Sequence, residues 1–161
     1  DYLKRSHRYY ISKRFPEIEQ TVVNIKSQEP TLLVSFLDRF LHQYKEDLIN
    51  HFKIEEKILF PYALKLYNYY HFEDERNKQF LVDNMDLVKN FLDDHKEDKS
   101  ELKKLEESIS KYKTRKLRHL SYFEILLEQL KNFHIDLKIH SQIEDHVLDK
   151  KISTILKNVN L

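Results

Sequence analysis

Glycine is absent from the sequence, as are cysteine and tryptophan, and proline occurs only three times. Tight hairpins, left-handed turns and phosphate-cradling loops need positive φ, so a chain without glycine is almost barred from folds built on them. A P-loop and a dinucleotide-binding fingerprint cannot be written in this alphabet at all. Without cysteine there is no disulfide, thiolate metal site, iron–sulfur ligation or cysteine nucleophile. No apolar run approaches the ~18 residues of a membrane span. An excess of one charge is also missing: 28 Lys and Arg stand against 27 Asp and Glu, so neither nucleic acid nor an anionic membrane is expected as a partner. No signal peptide is visible, and the expected location is the cytoplasm. The chain begins at Asp1 rather than Met, which leaves room for a further N-terminal region.

What is there suits helices. The 161 residues are 34% charged, 40% hydrophobic and 12% aromatic, enough to bury one core in a single domain over residues 1–161. Apolar residues recur at i, i+3, i+4 and i+7 in four long segments. The first, about 2–26, carries Leu3, His7, Ile11, Ile18, Val22 and Ile25 and keeps its phase across Pro16, which predicts a kink rather than a break. The second, about 30–68, follows a Ser27-Gln28-Glu29-Pro30 start and carries Leu33, Leu37, Phe40, Leu41, Tyr44, Leu48, His51, Glu55, Ile58, Leu59 and Tyr62. Pro61 marks a kink or the last full turn, and Asn68 to Asp74 reads as a linker. The third, about 76–112, carries Phe80, Leu81, Met85, Val88, Leu92, His95, Leu102, Leu105, Ile109 and Tyr112. After a turn near Lys113-Thr114-Arg115, the fourth covers about 115–148 with Leu120, Phe123, Leu127, Leu130, Phe133, Leu137, His140, Glu144, Val147 and Leu148. A tail from Ile152 to Leu161 reads as a short helix or a frayed end. Four such helices predict an all-α, antiparallel four-helix bundle.

Chemistry lies in what interrupts the stripes. Four of the nine His have Glu four residues on: His42/Glu46, His51/Glu55, His71/Glu75 and His140/Glu144. Residues at i and i+4 share a helix face, but phase separates the pairs. His51/Glu55 and His140/Glu144 continue apolar stripes into the core. His42 lies about half a turn out of phase with His51 and faces away with Glu46. His71/Glu75 falls in the linker. The inward pairs sit in matching sequences, His51-Phe-Lys-Ile-Glu-Glu-Lys-Ile-Leu59 and His140-Ser-Gln-Ile-Glu-Asp-His-Val-Leu148. Ligand pairs on two facing helices are how a dinuclear carboxylate-bridged site is built.

His7 and His95 stand alone on the other two inward stripes. One such His is ordinarily a satisfied core residue. Four imidazoles and two carboxylates buried together would cost several kcal/mol each without partners, and a cation offsets that. The set of His7, His51, Glu55, His95, His140 and Glu144 is a nitrogen–oxygen set suited to iron, with manganese or zinc as substitutes. Glu55 and Glu144 would each bridge two ions. Six side chains do not saturate two octahedral ions, which leaves room for an oxo or hydroxo bridge and one open position. Tyr44 reads as core with its hydroxyl at the edge; His42, His119, His134 and His146 read as surface. Glu56 and Asp145 flank the bridging carboxylates, either as acceptors for ligand imidazoles or exposed.

The stretch His51-Phe-Lys-Ile-Glu-Glu-Lys-Ile-Leu-Phe-Pro61 resembles the hemerythrin-domain signature, and the likeness extends over nearly the whole chain. His7 with a following Pro16, His95 before Glu97, and His140-x-x-x-Glu144-Asp145-x-x-Leu148 resemble the family's other ligand positions. Two Glu bridges resemble the branch of iron–sulfur cluster repair di-iron proteins. That resemblance implies two iron ions and recovery of clusters damaged by nitric oxide or peroxide, with damaged iron–sulfur proteins as partners. The alternative is reversible binding or sensing of a diatomic ligand, oxygen or nitric oxide. A third, metal-free reading is a helical interaction module whose inward polar residues bind each other. The chain departs from the family between the first two helices, where Ile25 to Pro30 holds no His; one ion then has fewer protein ligands, or Glu29 approaches it. The family's short cysteine-containing segment is not in the sequence, and no Leu-Phe-Pro follows Glu144.

Overall fold

A computed structural model describes residues 2–28, 31–94, 104, 105, 107 and 120–159. Among the described residues all regular structure is helical and there is no strand. Four long helices carry most of it, consistent with a helical bundle. Helix α1 (residues 2–28) is α-helical over Tyr2–Tyr9 and Phe15–Gln28, with a π turn over Tyr10–Arg14 between them. Helix α2 (residues 32–72) joins Leu32–Ile54 to Phe60–Phe72 through a π turn over Glu55–Leu59. Helix α3 covers Lys78–Asp94. Helix α4 (residues 120–158) joins Leu120–Ile143 to Lys150–Asn158 through a π turn over Glu144–Asp149. No helix among the described residues is long and apolar enough to cross a membrane.

Local chemistry sets the ends. Helix α2 starts after Thr31, whose Oγ1 accepts the Val34 backbone N–H at 3.3 Å, an N-cap that satisfies one of the first-turn donors. Of the expected Ser27-Gln28-Glu29-Pro30 start, Ser27 and Gln28 belong to the end of α1, and Glu29 and Pro30 lie outside the described residues. The expected linker at Asn68–Asp74 is mostly helix, because nothing before Glu73 breaks the ladder. Glu73 ends it in the left-handed conformation, φ 53° and ψ 37°, the position glycine ordinarily takes. Asp74 then accepts from Arg76 Nε at 2.7 Å and Asn77 Nδ2 at 2.9 Å. Those hydrogen bonds from Arg76, foremost, hold its carboxyl below the usual carboxylate range. The tail continues α4 as helix to Asn158.

The chain divides into two compact units, Asp1–Asn50 with Ser100–Lys138, and His51–Lys99 with Ile139–Leu161. In the first, Phe133 receives the edges of Tyr10 and Phe15, with centroids 5.5 and 5.1 Å away. The Tyr10 hydroxyl donates to the Asp136 carbonyl at 3.1 Å, and Arg14 Nη2 pairs with the Asp136 carboxylate at 2.9 Å. Polar groups around this aromatic cluster therefore tie α1 to α4. In the second unit, Phe60–Phe72 packs against α3 and against Lys150–Asn158. The buried residues Leu59, Tyr62, Leu66, Leu81, Val88, Leu92 and Ile152 form its core. Each aliphatic side chain buried there contributes about 1.5–3 kcal/mol.

The helical stripes hold in outline, with local shifts; in α2 Val34 and Phe52 are buried where the expected Leu33 and His51 are half-buried. In α1 the buried residues run His7, Tyr10, Phe15, Ile18, Thr21, Val22 and Ile25, so Ile11 is displaced by its neighbour Tyr10. Five residues separate Tyr10 from Phe15, and the π turn between them absorbs the extra one. In α4 Leu126 is fully buried, and Val147, expected inward, is 52% exposed. Val147 lies within the third π turn, where the i→i−5 ladder takes up one more residue per turn than the α-ladder. The inward position after Glu144 is thereby delayed. The turn near Lys113, with His95, Leu102, Ile109, Tyr112 and His119, lies outside the described residues; Leu105 is described and buried.

Candidate metal centre

The π turns bear directly on the expected ligands. One begins at Glu55 and one at Glu144. Single π turns inside α-helices are frequent at functional sites because they re-aim side chains. Two of the three precede proline. The Phe15 N–H bonds the Tyr10 carbonyl, and the Phe60 N–H bonds the Glu55 carbonyl, five residues back in each case. Pro16 and Pro61 come next. Proline has no N–H to give, and its ring collides with the carbonyl four residues back. Widening the preceding turn relieves the collision while the helix continues. At Pro16, with its expected kink, and at Pro61, with its expected kink or last full turn, the helix continues through a π turn at the residues just before the proline.

Both inward pairs have the geometry that their spacing demands. His51 Nε2 lies 2.7 Å from Glu55 Oε1, and His140 Nε2 lies 3.1 Å from Glu144 Oε1. At these separations the imidazole and carboxylate of each pair lie close enough for both to hold one ion. Glu55 and Glu144 are 0% and 1% exposed. Carboxylates so deep in an apolar interior demand compensating positive charge.

His7, Glu55, His140 and Glu144 form a buried group that could hold a metal ion, each offering one ligand atom within 4.8 Å of the others. Four of the six expected ligands are therefore brought together. His51 keeps its place beside Glu55 but is not in that group, and its side chain is 33% exposed. His95 is outside the described residues. The donor set, two imidazoles and two carboxylates with no sulfur, fits a first-row divalent or trivalent ion of intermediate hardness.

Two aromatic residues that periodicity did not mark as part of the site line it. Phe91 stacks on the His51 ring, with centroids 5.0 Å apart and planes 30° from parallel. Phe52, buried, meets the His51 ring at 6.0 Å and the His140 ring at 5.9 Å, edge-on to both. Phe52 follows His51 directly, and Phe91 lies four residues before His95. Sequence proximity to a ligand is the only signal that could have found them.

The remaining His are placed much as their phase predicts. His42, His71 and His146 are exposed and His134 is half-buried; His146 Nδ1 lies 2.9 Å from the Gln142 carbonyl. Tyr44 is half-buried and stacks on Phe40 at 6.1 Å. Glu56 and Asp145 are half-buried. No protein-family model matches the chain, and no curated protein or solved structure shows significant similarity to it.

Proposed function

We propose that this chain is a hemerythrin-like, non-haem di-iron protein, an antiparallel four-helix bundle acting in the cytoplasm. Its role on this reading is repair of iron–sulfur clusters damaged under nitrosative or oxidative stress. The observation that carries the metal centre is the buried His7, Glu55, His140 and Glu144 group with its ligand atoms inside 4.8 Å. The choice of iron, and of cluster repair, rests on the nitrogen–oxygen donor set and on the signature around His51 to Pro61.

On this reading His7, His51, His95 and His140 are terminal ligands, and Glu55 and Glu144 bridge. Two iron ions held there supply one-electron redox chemistry and an open position for a small ligand such as oxygen or nitric oxide. The protein's own part is organisation. Burial of Glu55 and Glu144 keeps both carboxylates away from competing water. The i,i+4 spacing holds each imidazole to its carboxylate, and Phe52 keeps the space between the His51 and His140 rings apolar.

Elemental analysis with an optical spectrum of freshly prepared protein tests the centre: two irons per chain are expected. Glu55→Ala combined with Glu144→Ala is expected to abolish binding of the second iron, and retention of two irons in that variant would refute the bridging roles. Transfer of iron to a damaged cluster would favour repair. Stable, reversible oxygen spectra without iron loss would favour carriage instead.

A further inference from the structure

The two His-x-x-x-Glu pairs repeat one device in unlike surroundings. The His140 and Glu144 side chains are 4% and 2% exposed, whereas the His51 side chain is 33% exposed beside a Glu55 that is fully buried. His140 and Glu144 belong to the closely spaced buried group, and His51 does not. His51 is instead covered on one face by Phe91, itself half-buried, and met at a steep angle by the Phe52 ring.

Resting on the metal reading above, we propose that the two positions hold metal unequally. The His140–Glu144 position retains its ion, and the His51–Glu55 position exchanges its ion through His51, with Phe91 as the positioning residue that sets the exchange rate. Losing an ion requires a ligand to swing away and water or a chelator to take its place. A side chain one-third in water can do so without opening the core, and one at 4% cannot. The Phe91 ring stacks on the imidazole at 30° from parallel, so rotation of His51 away from Glu55 must first displace or slide past it. Groups that orient a ligand in this way typically alter metal affinity by about 10–100-fold when removed.

The experiment is release of cobalt(II) from the full chain. Metal-free protein is loaded anaerobically with cobalt(II) and mixed with excess chelator, and release is followed by the cobalt absorption. Two phases of equal amplitude are expected. His51→Ala should remove the fast phase and keep the slow one. Phe91→Ala should accelerate the fast phase by about tenfold and leave the slow phase unchanged. Phe91→Leu, which keeps apolar volume but not the flat ring, should fall between and serves if the alanine variant does not fold. Release of both equivalents in a single phase would overturn the inference while sparing the metal centre. So would a fast phase that neither folded Phe91 variant moves. Failure of the wild-type chain to take up any cobalt would overturn the metal reading itself, and this inference with it.

Discussion

At the residue scale, two side chains stand at odds with their surroundings. Tyr62 is fully buried in the apolar core of the second unit, and its hydroxyl has no hydrogen-bond partner among the described residues. Burial pushes the phenol up to about 12. The folded state therefore favours the neutral phenol, and stability that is complete below pH 10 is expected to fall as pH rises from 10 towards 12. Tyr62→Phe removes both the stranded hydroxyl and the titration. It should raise stability by about 1 kcal/mol in urea unfolding and delete one late phenolate from an alkaline ultraviolet titration. Glu73 is the second case. It closes α2 in a left-handed conformation that costs a side-chain-bearing residue roughly 1 kcal/mol. Glu73→Gly is expected to raise the unfolding free energy by a few tenths to about 1 kcal/mol, because relief in the folded state outweighs the extra freedom glycine gives the unfolded chain. In a chain without glycine, this change would show whether the missing residue type has an energetic cost at the one positive φ of the described residues.

At the scale of the element, the π turns explain what periodicity could and could not disclose. Straight α-helical phase located Glu55, His140 and Glu144 on buried faces and His51 beside Glu55, because regular helix leads from each His to the Glu at which a π turn begins. Within the third π turn the same arithmetic misplaced Val147, since the wider turn shifts every residue after Glu144. The two Phe-Pro steps mark the first two π turns through proline's missing donor. The third, at Glu144–Asp149, has no proline and leaves no mark in the sequence that a helical wheel would register. Phe52 and Phe91 escaped for another reason: each sits one position off its stripe, next to His51 and Leu92, and helical phase gives no sign that such a neighbour meets a ligand ring. The π turn at Glu55 also makes a prediction. Pro61→Ala restores the missing N–H and removes the ring that blocks the Lys57 carbonyl, so the turn can revert to α-helix and re-aim Glu55. Helix content by circular dichroism should be unchanged, while affinity for the first-bound metal falls about tenfold, the scale of a disturbed ligand support. Unchanged affinity would show that the π turn does not position the carboxylate.

At the scale of the whole molecule, the proposed metal reading makes ion binding and the stability of the fold one equilibrium. Glu55 and Glu144 lie in the interior, where their desolvation weighs against folding until a cation offsets it. Any ion that binds the folded chain and not the unfolded one adds RT ln(1 + [L]/Kd), about 4 kcal/mol at a thousandfold excess over Kd. Thermal unfolding followed by circular dichroism should therefore move upward on adding iron(II) or cobalt(II) under anaerobic conditions and return on chelation. Glu55→Gln with Glu144→Gln separates the two halves of the balance. Glutamine keeps the shape and removes both buried charges, so the metal-free variant should melt no lower than the metal-free wild type. The same variant should lose the metal-dependent rise. A metal-helped wild type beside a metal-indifferent double variant of equal or greater intrinsic stability would mean that the two carboxylates are retained for binding, at the expense of folding. A variant less stable than wild type in the absence of metal would mean instead that His51, His140 and the two glutamates hold one another in the fold.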